Sequence, residues 1–570
     1  MRYPRRAVRS FSHSRRLAIA STTLAVAASF APRLAHATII DTGPAQDYCA
    51  AINRAMPGDE VHLAAGDYTR PCSITASGTA GSPIIVVGAG TPGALTSRFA
   101  YMGTSSNVTD IRAASFVTIR RIFFDGSADD VDAIKMHSAR DITVEGCRFR
   151  NIGGISISAN DGDHARIAVR DNTFEMLRAT ALYFGCHDGA ACHATDLAIE
   201  RNLIVGVTPR AGAVGYGLEI KLNSFGTVRD NSVYDTAGPG LMVYGSNRGD
   251  PASVIDGNYV EGSINEADIV VGGGPAIVRN NIVSRGMSGG ISAQDYGGRG
   301  LQRDVVIVHN TVIDCAGNSI AVQNWMAGRN DVLAFNAIAP RAGGVAIRPA
   351  APTATVMGNV DCSMMSGCFP GLSMALYDVR PGAMSPLHDT ATPGSESWRP
   401  ADDFFGTARD ARPDIGAVEF TTMTVGAPLG GHTARPMRGT GSSGGDGGVR
   451  TDAGANDGGT AADSARGGDV AASGDSGTSG DAGADGGGST MRAGCGCRVG
   501  DGRRERGAVE FGAFLVALAI ALRRNGLRSP RHVGHIGRAS TLVARVGRGD
   551  ARTGRVRREC RPRVVGRTRG

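Results

Sequence analysis

The chain has 570 residues, 42% of them hydrophobic and 20% charged, with 82 glycines, 11 cysteines and only 5% aromatic residues. Its net charge of +7 sits at the two ends. Residues 1–37 carry seven arginines and no acid, and residues 523–570 carry fifteen arginines against Asp550 and Glu559, which leaves a body of net −13. An acidic body gives no reason to expect a nucleic-acid partner.

The first 37 residues read as a secretory signal peptide. Arg2, Arg5, Arg6, Arg9, Arg15 and Arg16 precede an apolar stretch at 17–30, and Ala35-His36-Ala37 offers a cleavage site. The apolar run is too short and too interrupted for a good membrane span. A secreted protein beginning near Thr38 is expected. Residues 46–68 (QDYCAAINRAMPGDEVHLAAGDY) then predict a short amphipathic helix, a Pro-Gly-Asp turn and a strand. In an exported chain Cys186/Cys192 and Cys362/Cys368 are expected to close loops as disulfides, and Cys49/Cys72 to staple the N-terminal end. Cys147 and Cys315 read as buried small hydrophobes.

From residue 169 onward one phrase recurs, apolar-x-x-Asn-x-apolar. It appears as VRDNTF at 169–174, IERNLI at 199–204, VRDNSV at 228–233 and IDGNYV at 255–260, and continues to VMGNV at 356–360. The asparagines fall at 172, 202, 231, 258, 281, 310, 336 and 359, in steps of 23 to 30 residues. Such a period means a solenoid, in which each unit covers the hydrophobic face of its neighbour. Between the asparagines lie short Val/Ile-rich runs such as GLEIKLN, GLMVYG and DIVVGG, alternating at period two, with no sustained helical period. The fold expected is all-β: a right-handed parallel β-helix of about ten coils spanning 38–425, with an N-terminal capping helix. Stacked asparagine amides would satisfy turn backbone that is otherwise buried unpaired.

Alternation places Leu218, Ile220 and Leu222 inward and Glu219, Lys221 and Asn223 outward. Stacking the corresponding strands predicts an external column. It runs from Lys135 and His137 through Ser158 and Tyr183 to Glu219, Lys221 and Asn223. It continues through Met242 and Tyr244, Asp268, Gln294 and Tyr296, and ends at Gln323 and Trp325. Coils are ~4.8 Å apart, so six of them span roughly 25–30 Å, a length suited to an extended polymer. Tyr and Trp stack on sugar rings, Lys and Arg neutralise uronate carboxylates, and Gln, Asn and Asp bond hydroxyls.

Residues 426–492 are a Gly/Ser/Ala/Thr/Asp tract with almost no apolar bulk, expected to be a disordered stalk. In 493–524, Cys495-Gly-Cys497, an apolar stretch (FGAFLVALAIAL) and Arg523-Arg524 resemble a myxobacterial C-terminal sorting tail. That implies retention at the outer cell surface. Residues 525–570 are Arg-rich and expected to lack structure; a product of read-through or frame error is the first reading and a genuine basic extension the second.

The opening at 46–90 and the segment DFFGTARDARPDIGAVEF at 403–420 resemble the start and close of secreted β-helix proteins of the pectate-lyase-like superfamily. Within that group the look is nearest to chondroitinase-B/alginate-lyase-like polysaccharide lyases, and the resemblance centres on GYGLEIKLNSFGTVRDNSVYDTAGPGLMVYGSNR at 215–248. It implies an acidic polysaccharide as partner and proton abstraction beside a uronate carboxylate. Lys221 would be the base, Arg248 the neutralising cation and Tyr244 the acid. Calcium would be held by Glu219, with Asn223. In those lyases the lysine follows the acidic residue by several positions, whereas Lys221 follows Glu219 by two. The second reading is a non-catalytic polysaccharide-binding or adhesion protein; a monomer is expected in either case. The third is a glycoside hydrolase using Glu219 and Asp268, two coils or roughly 10 Å apart.

Overall fold

The structure is a computed structural model and describes residues 37–439, apart from short segments at 188, 190, 212–213, 295–299, 324, 326–327, 349–353, 364–366, 373–376, 395 and 423–428. The expected signal peptide, the anchor segment and the basic tail lie outside the described residues, as does the stalk beyond Gly439.

Three parallel sheets wind around one core. Sheet A has 14 strands, sheet B 12 and sheet C 11, so the coil makes about eleven turns. One turn runs through Arg140–Glu145 in sheet A, Arg148–Arg150 in sheet B and Ile157–Asp161 in sheet C, then returns to sheet A at His164–Arg170. The register is unbroken over most of the stack: Val117 pairs with Ile142, Ile142 with Ile167, and Val144 with Val169. Inward residues therefore stack on like residues. Phe124, Phe149 and Phe174 lie 4.8 and 4.7 Å apart, centroid to centroid, nearly parallel, and Phe99 and Tyr68 extend the stack downward.

The corner between sheets A and B explains the repeated asparagine. The residue before it adopts a left-handed conformation, as at Asp171 (φ 58), Arg201 (φ 52) and Asp230 (φ 57), which turns the chain sharply within two residues. The asparagines then form a continuous ladder. Nδ2 of Asn172 donates to Oδ1 of Asn202 at 3.0 Å, and the series runs through 231, 258, 281, 310 and 336 to Asn359. Each Oδ1 also accepts the backbone N–H of the asparagine below, and each Nδ2 also donates to a strand carbonyl, as Asn202 does to Val169 at 2.8 Å. Cys147 occupies the position one coil before the ladder, its N–H donating to Asn172 Oδ1 at 2.9 Å. Burial pushes its thiol up to about 12. Cys315 is buried as well.

The capping helix is Tyr48–Arg54, with the Asp47 carboxylate accepting from the Ala50 N–H at 3.0 Å. It buries Tyr48, Ala51 and Ile52, and the Tyr48 ring stands edge-on to Tyr68 at 4.9 Å, closing the N-terminal end of the core. All three expected disulfides are present, Cys49–Cys72, Cys186–Cys192 and Cys362–Cys368. The segment around 403–420 lies along the side of the coil. Phe404, Phe405 and Val418 pack with Tyr234, Tyr259, Ile282 and Ile313 on the outside of sheet B. The folded body also runs past the expected boundary at 425, because Arg435 and Arg438 pair with Asp230 and Arg438 with Asp256, at 2.8 to 2.9 Å.

Candidate functional site

The outward column on sheet C is correct in its lower half. Lys135 pairs in register with Ser158, Ser158 with Tyr183, Tyr183 with Glu219 and Glu219 with Met242. Leu218 and Ile220 enter the core, as alternation requires. The strand ends at Ile220, and beyond it alternation lapses. Lys221 and Leu222 begin a turn in which the Ser224 N–H donates to the Lys221 carbonyl at 3.1 Å. Leu222, expected inside, instead packs on the outer side with Met242, Tyr244, Ala267 and Val270.

This turn brings Lys221 back onto Glu219. Its Nζ lies 2.5 Å from Glu219 Oε1, and the two residues are only 2% and 1% exposed. Tyr244 Oη donates to the same oxygen at 3.2 Å. The ammonium also faces two aromatic rings, Tyr183 at 5.0 Å and Tyr244 at 4.8 Å. Glu219 and Lys221 line a pocket of about 340 Å³ together with Tyr183, Tyr216, His187 and Arg210. Asp130 and Asp132 line its far end. Burial raises the Asp132 carboxyl above its ordinary range, against bonds from Ser158 Oγ at 2.7 Å and the Ile155 N–H at 2.8 Å.

Several expected site residues lie elsewhere. Tyr244 sits behind Glu219, fully buried and not on the pocket wall, so it orients the carboxylate instead of facing a leaving oxygen. Arg248 is exposed and does not line the pocket; burial opposes the charge of Asp163, which His193 bonds hold low, with Arg248 adding least. The Asn223 amide ties loops together, Nδ2 donating to the Gly189 carbonyl and Oδ1 accepting the Asn247 N–H, both at 2.9 Å. Asp268 is wholly buried at a corner, accepting the Ser263 N–H at 2.7 Å, with burial raising its carboxyl well above normal. Trp325 is wholly buried in the core, Nε1 donating to Gln302 at 3.3 Å, because the chain turns inward after the strand ends at Val322. Gln294 and Gln323 are half-buried and follow their strands, and Tyr296 lies outside the described residues.

Lower on the column, His137 is held between Asp161 (2.6 Å) and Asp110 (2.9 Å), and Lys135 donates to Asn160 at 3.0 Å. These groups adjoin the pocket without lining it.

The residues expected to hold calcium do not fit it. Glu219 Oε1 already receives an ammonium and a phenol, and a divalent cation beside that ammonium would be repelled. Both polar atoms of the Asn223 amide are engaged with loop backbone. Among the described residues, one group has three donors placed to converge on a metal, His388, Asp389 and Asp414. It belongs to the C-terminal segment, where Asp389 already pairs with Arg412 at 2.7 Å.

The family model described as right handed beta helix region matches residues 85–249 and 194–350. No curated protein matches the chain. Among solved structures the chain is similar to pectate lyase Pel9A, at 14% identity over 67% of this chain and 96% of that one, with a TM-score of 0.39. It is similar to the A-module of the mannuronan C-5 epimerase AlgE4 of Azotobacter vinelandii, at 16% identity over 53% and 86%, with a TM-score of 0.37. It is also similar to an alginate lyase of Paenibacillus sp. str. FPU-7, at 15% identity over 56% and 98%, with a TM-score of 0.28. By family model and by strand register together, the chain is a right-handed parallel β-helix.

Proposed function

We propose that this is a secreted β-helix protein, retained at the cell surface, that acts on an acidic polysaccharide by β-elimination at the Tyr183–Glu219–Lys221 pocket. The observation that carries the reading is the buried Lys221–Glu219 pair, which opens onto a pocket walled by tyrosines. A base must give up its own proton before it takes one from substrate. At 2.5 Å, Glu219 Oε1 is an acceptor for the Lys221 proton, and Tyr244 steadies that oxygen. Glu219 thus serves Lys221 as a proton partner, and no step passes through a metal.

In this reading Lys221 Nζ takes the proton on the carbon beside the uronate carboxylate. Those bonding electrons form the new C=C bond, the glycosidic C–O bond breaks, and the departing oxygen is protonated by Tyr183, which lines the pocket. The tyrosine rings supply a stacking surface for the sugar. Support for secretion and anchoring comes from the basic-apolar N-terminus and from the Cys-containing, apolar and basic C-terminal segment.

The test is a turnover screen of the mature chain on chondroitin, dermatan, alginate and pectate, followed by the absorbance of unsaturated uronate, with and without chelator. Product from one polymer, undiminished by chelator, is the expected result. A flat signal on all four would reject the lyase. Binding still detectable by co-sedimentation would then leave the non-catalytic binding protein.

A further inference from the structure

The sequence suggested a groove open along six coils, and the structure closes that groove. Above Glu219 the column continues as Met242 and Val270, and both are wholly buried. With Tyr244, Leu222 and Ala267 they form an apolar cluster on the outer side of sheet C, and Tyr216 packs on this cluster while it lines the pocket. Tyr216 is thus an end wall with a solid backing.

A side wall comes from Arg210 and Val214. Arg210 reaches back across the coils to pair with Asp130 and donates to the Gly153 carbonyl at 3.4 Å. Arg178, one coil below, pairs with Asp129 at 2.9 Å, and its carbonyl accepts the Arg210 N–H at 3.0 Å. Two arginines therefore bridge neighbouring coils along one flank. Opposite, the loop closed by Cys186–Cys192 carries His187 to the rim and is tied to the Lys221 turn through Asn223 and Gly189. The pocket extends from Asp132 to Tyr216, positions three coils apart and therefore about 14 Å in length. That accommodates a short stretch of sugar.

We infer that this pocket takes the end of a polysaccharide chain, not its interior. The inference rests on the proposed sugar-binding role of the pocket. A chain passing through would need an exit on the C-terminal side of Glu219, where Tyr216 and the cluster behind it stand. A chain end needs none. It lies against Tyr183 with its terminal ring against Tyr216, and the rest of the polymer leaves over the lower coils past the part-exposed Lys135.

Binding to size-fractionated alginate and pectate separates the two modes. The Lys221→Arg variant is sedimented with fractions of equal mass and different chain length. An end-binding protein saturates in inverse proportion to chain length, and that is the expected result. Capacity that follows mass at every length would overturn the end-on mode and leave the polysaccharide reading standing. Absence of binding to every fraction would overturn both. For a polymer that the wild-type protein cleaves, viscosity should fall only in step with double-bond absorbance; a fall well ahead of it would also overturn the inference.

Discussion

Glu219 and Lys221 meet through a single oxygen contact, out of water. Removing either partner of a buried pair strands the other charge, at about 3 kcal/mol or more. Glu219→Gln and Lys221→Met should each lower stability by about that amount, and the double variant by much less than their sum. Chemical denaturation of the four proteins in a double-mutant cycle measures this. A second residue-scale effect concerns His164, which is buried and accepts the Ala139 N–H at 3.2 Å, and burial lowers it to about 4. The unfolded chain binds this proton below its ordinary 6.5 and the folded chain does not, so stability falls as pH drops from 6.5 to 4, by roughly 3 kcal/mol at most. Asp331, raised by burial to about 6, works in the opposite direction. The difference in melting temperature between wild type and His164→Gln, followed from pH 7 to pH 4, isolates the histidine. Glu219 and Lys221 were legible in sequence because one lies on a strand and the other follows it directly. Trp325 was not, because alternation holds only within a strand and the chain had already turned inward.

Among elements, the asparagine ladder is the device that fixes the register of sheets A and B. Asn231 gives its amide protons to Asn258 and the Ile199 carbonyl, and its Oδ1 accepts from the Asn202 backbone and side chain. With the further bond from its Nδ2 to the Arg229 carbonyl at 3.1 Å, Asn231→Ala removes five bonds and leaves several buried groups without partners, so a loss of about 3 kcal/mol or more is expected. Asn359, at the end of the ladder, is only part-buried, and its alanine variant should lose less. Melting temperatures of the two variants check the order. The ladder could be read from sequence because its spacing is fixed by one coil and its flanks are apolar. The pocket walls could not. Arg210, Tyr216, Asp130 and Asp132 stand at the corners between sheets B and C, where loop length varies from coil to coil and no period survives.

At the scale of the whole molecule, the C-terminal segment makes the body wider than the coil alone. Arg435, buried, stacks on the Phe404 ring at 3.8 Å and pairs with Asp230, and Arg438 joins Asp230, Asp256 and Asp402. Replacing both arginines by alanine should loosen this segment while the coil remains folded. Limited proteolysis should then cut within 377–438, with the far-ultraviolet circular dichroism of β-structure retained. Sequence alone placed the boundary at 425 because Gly- and Pro-containing polar sequence resembles the stalk that follows; the ion pairs that recruit it to the body link positions about two hundred residues apart. The coil, its cap and its disulfides arise from local repeats and short spacings, and for that reason they were legible.

In the proposed mechanism Lys221 withdraws a proton from substrate. Lys221→Arg keeps a cation opposite Glu219 but one that does not give up its proton. On whichever polymer the wild type cleaves, this variant should bind as before, melt within a few degrees of wild type, and lose at least about 100-fold in the rate of double-bond formation. An arginine variant that still turns over near the wild-type rate would contradict it, and the base would have to be sought elsewhere on the pocket wall.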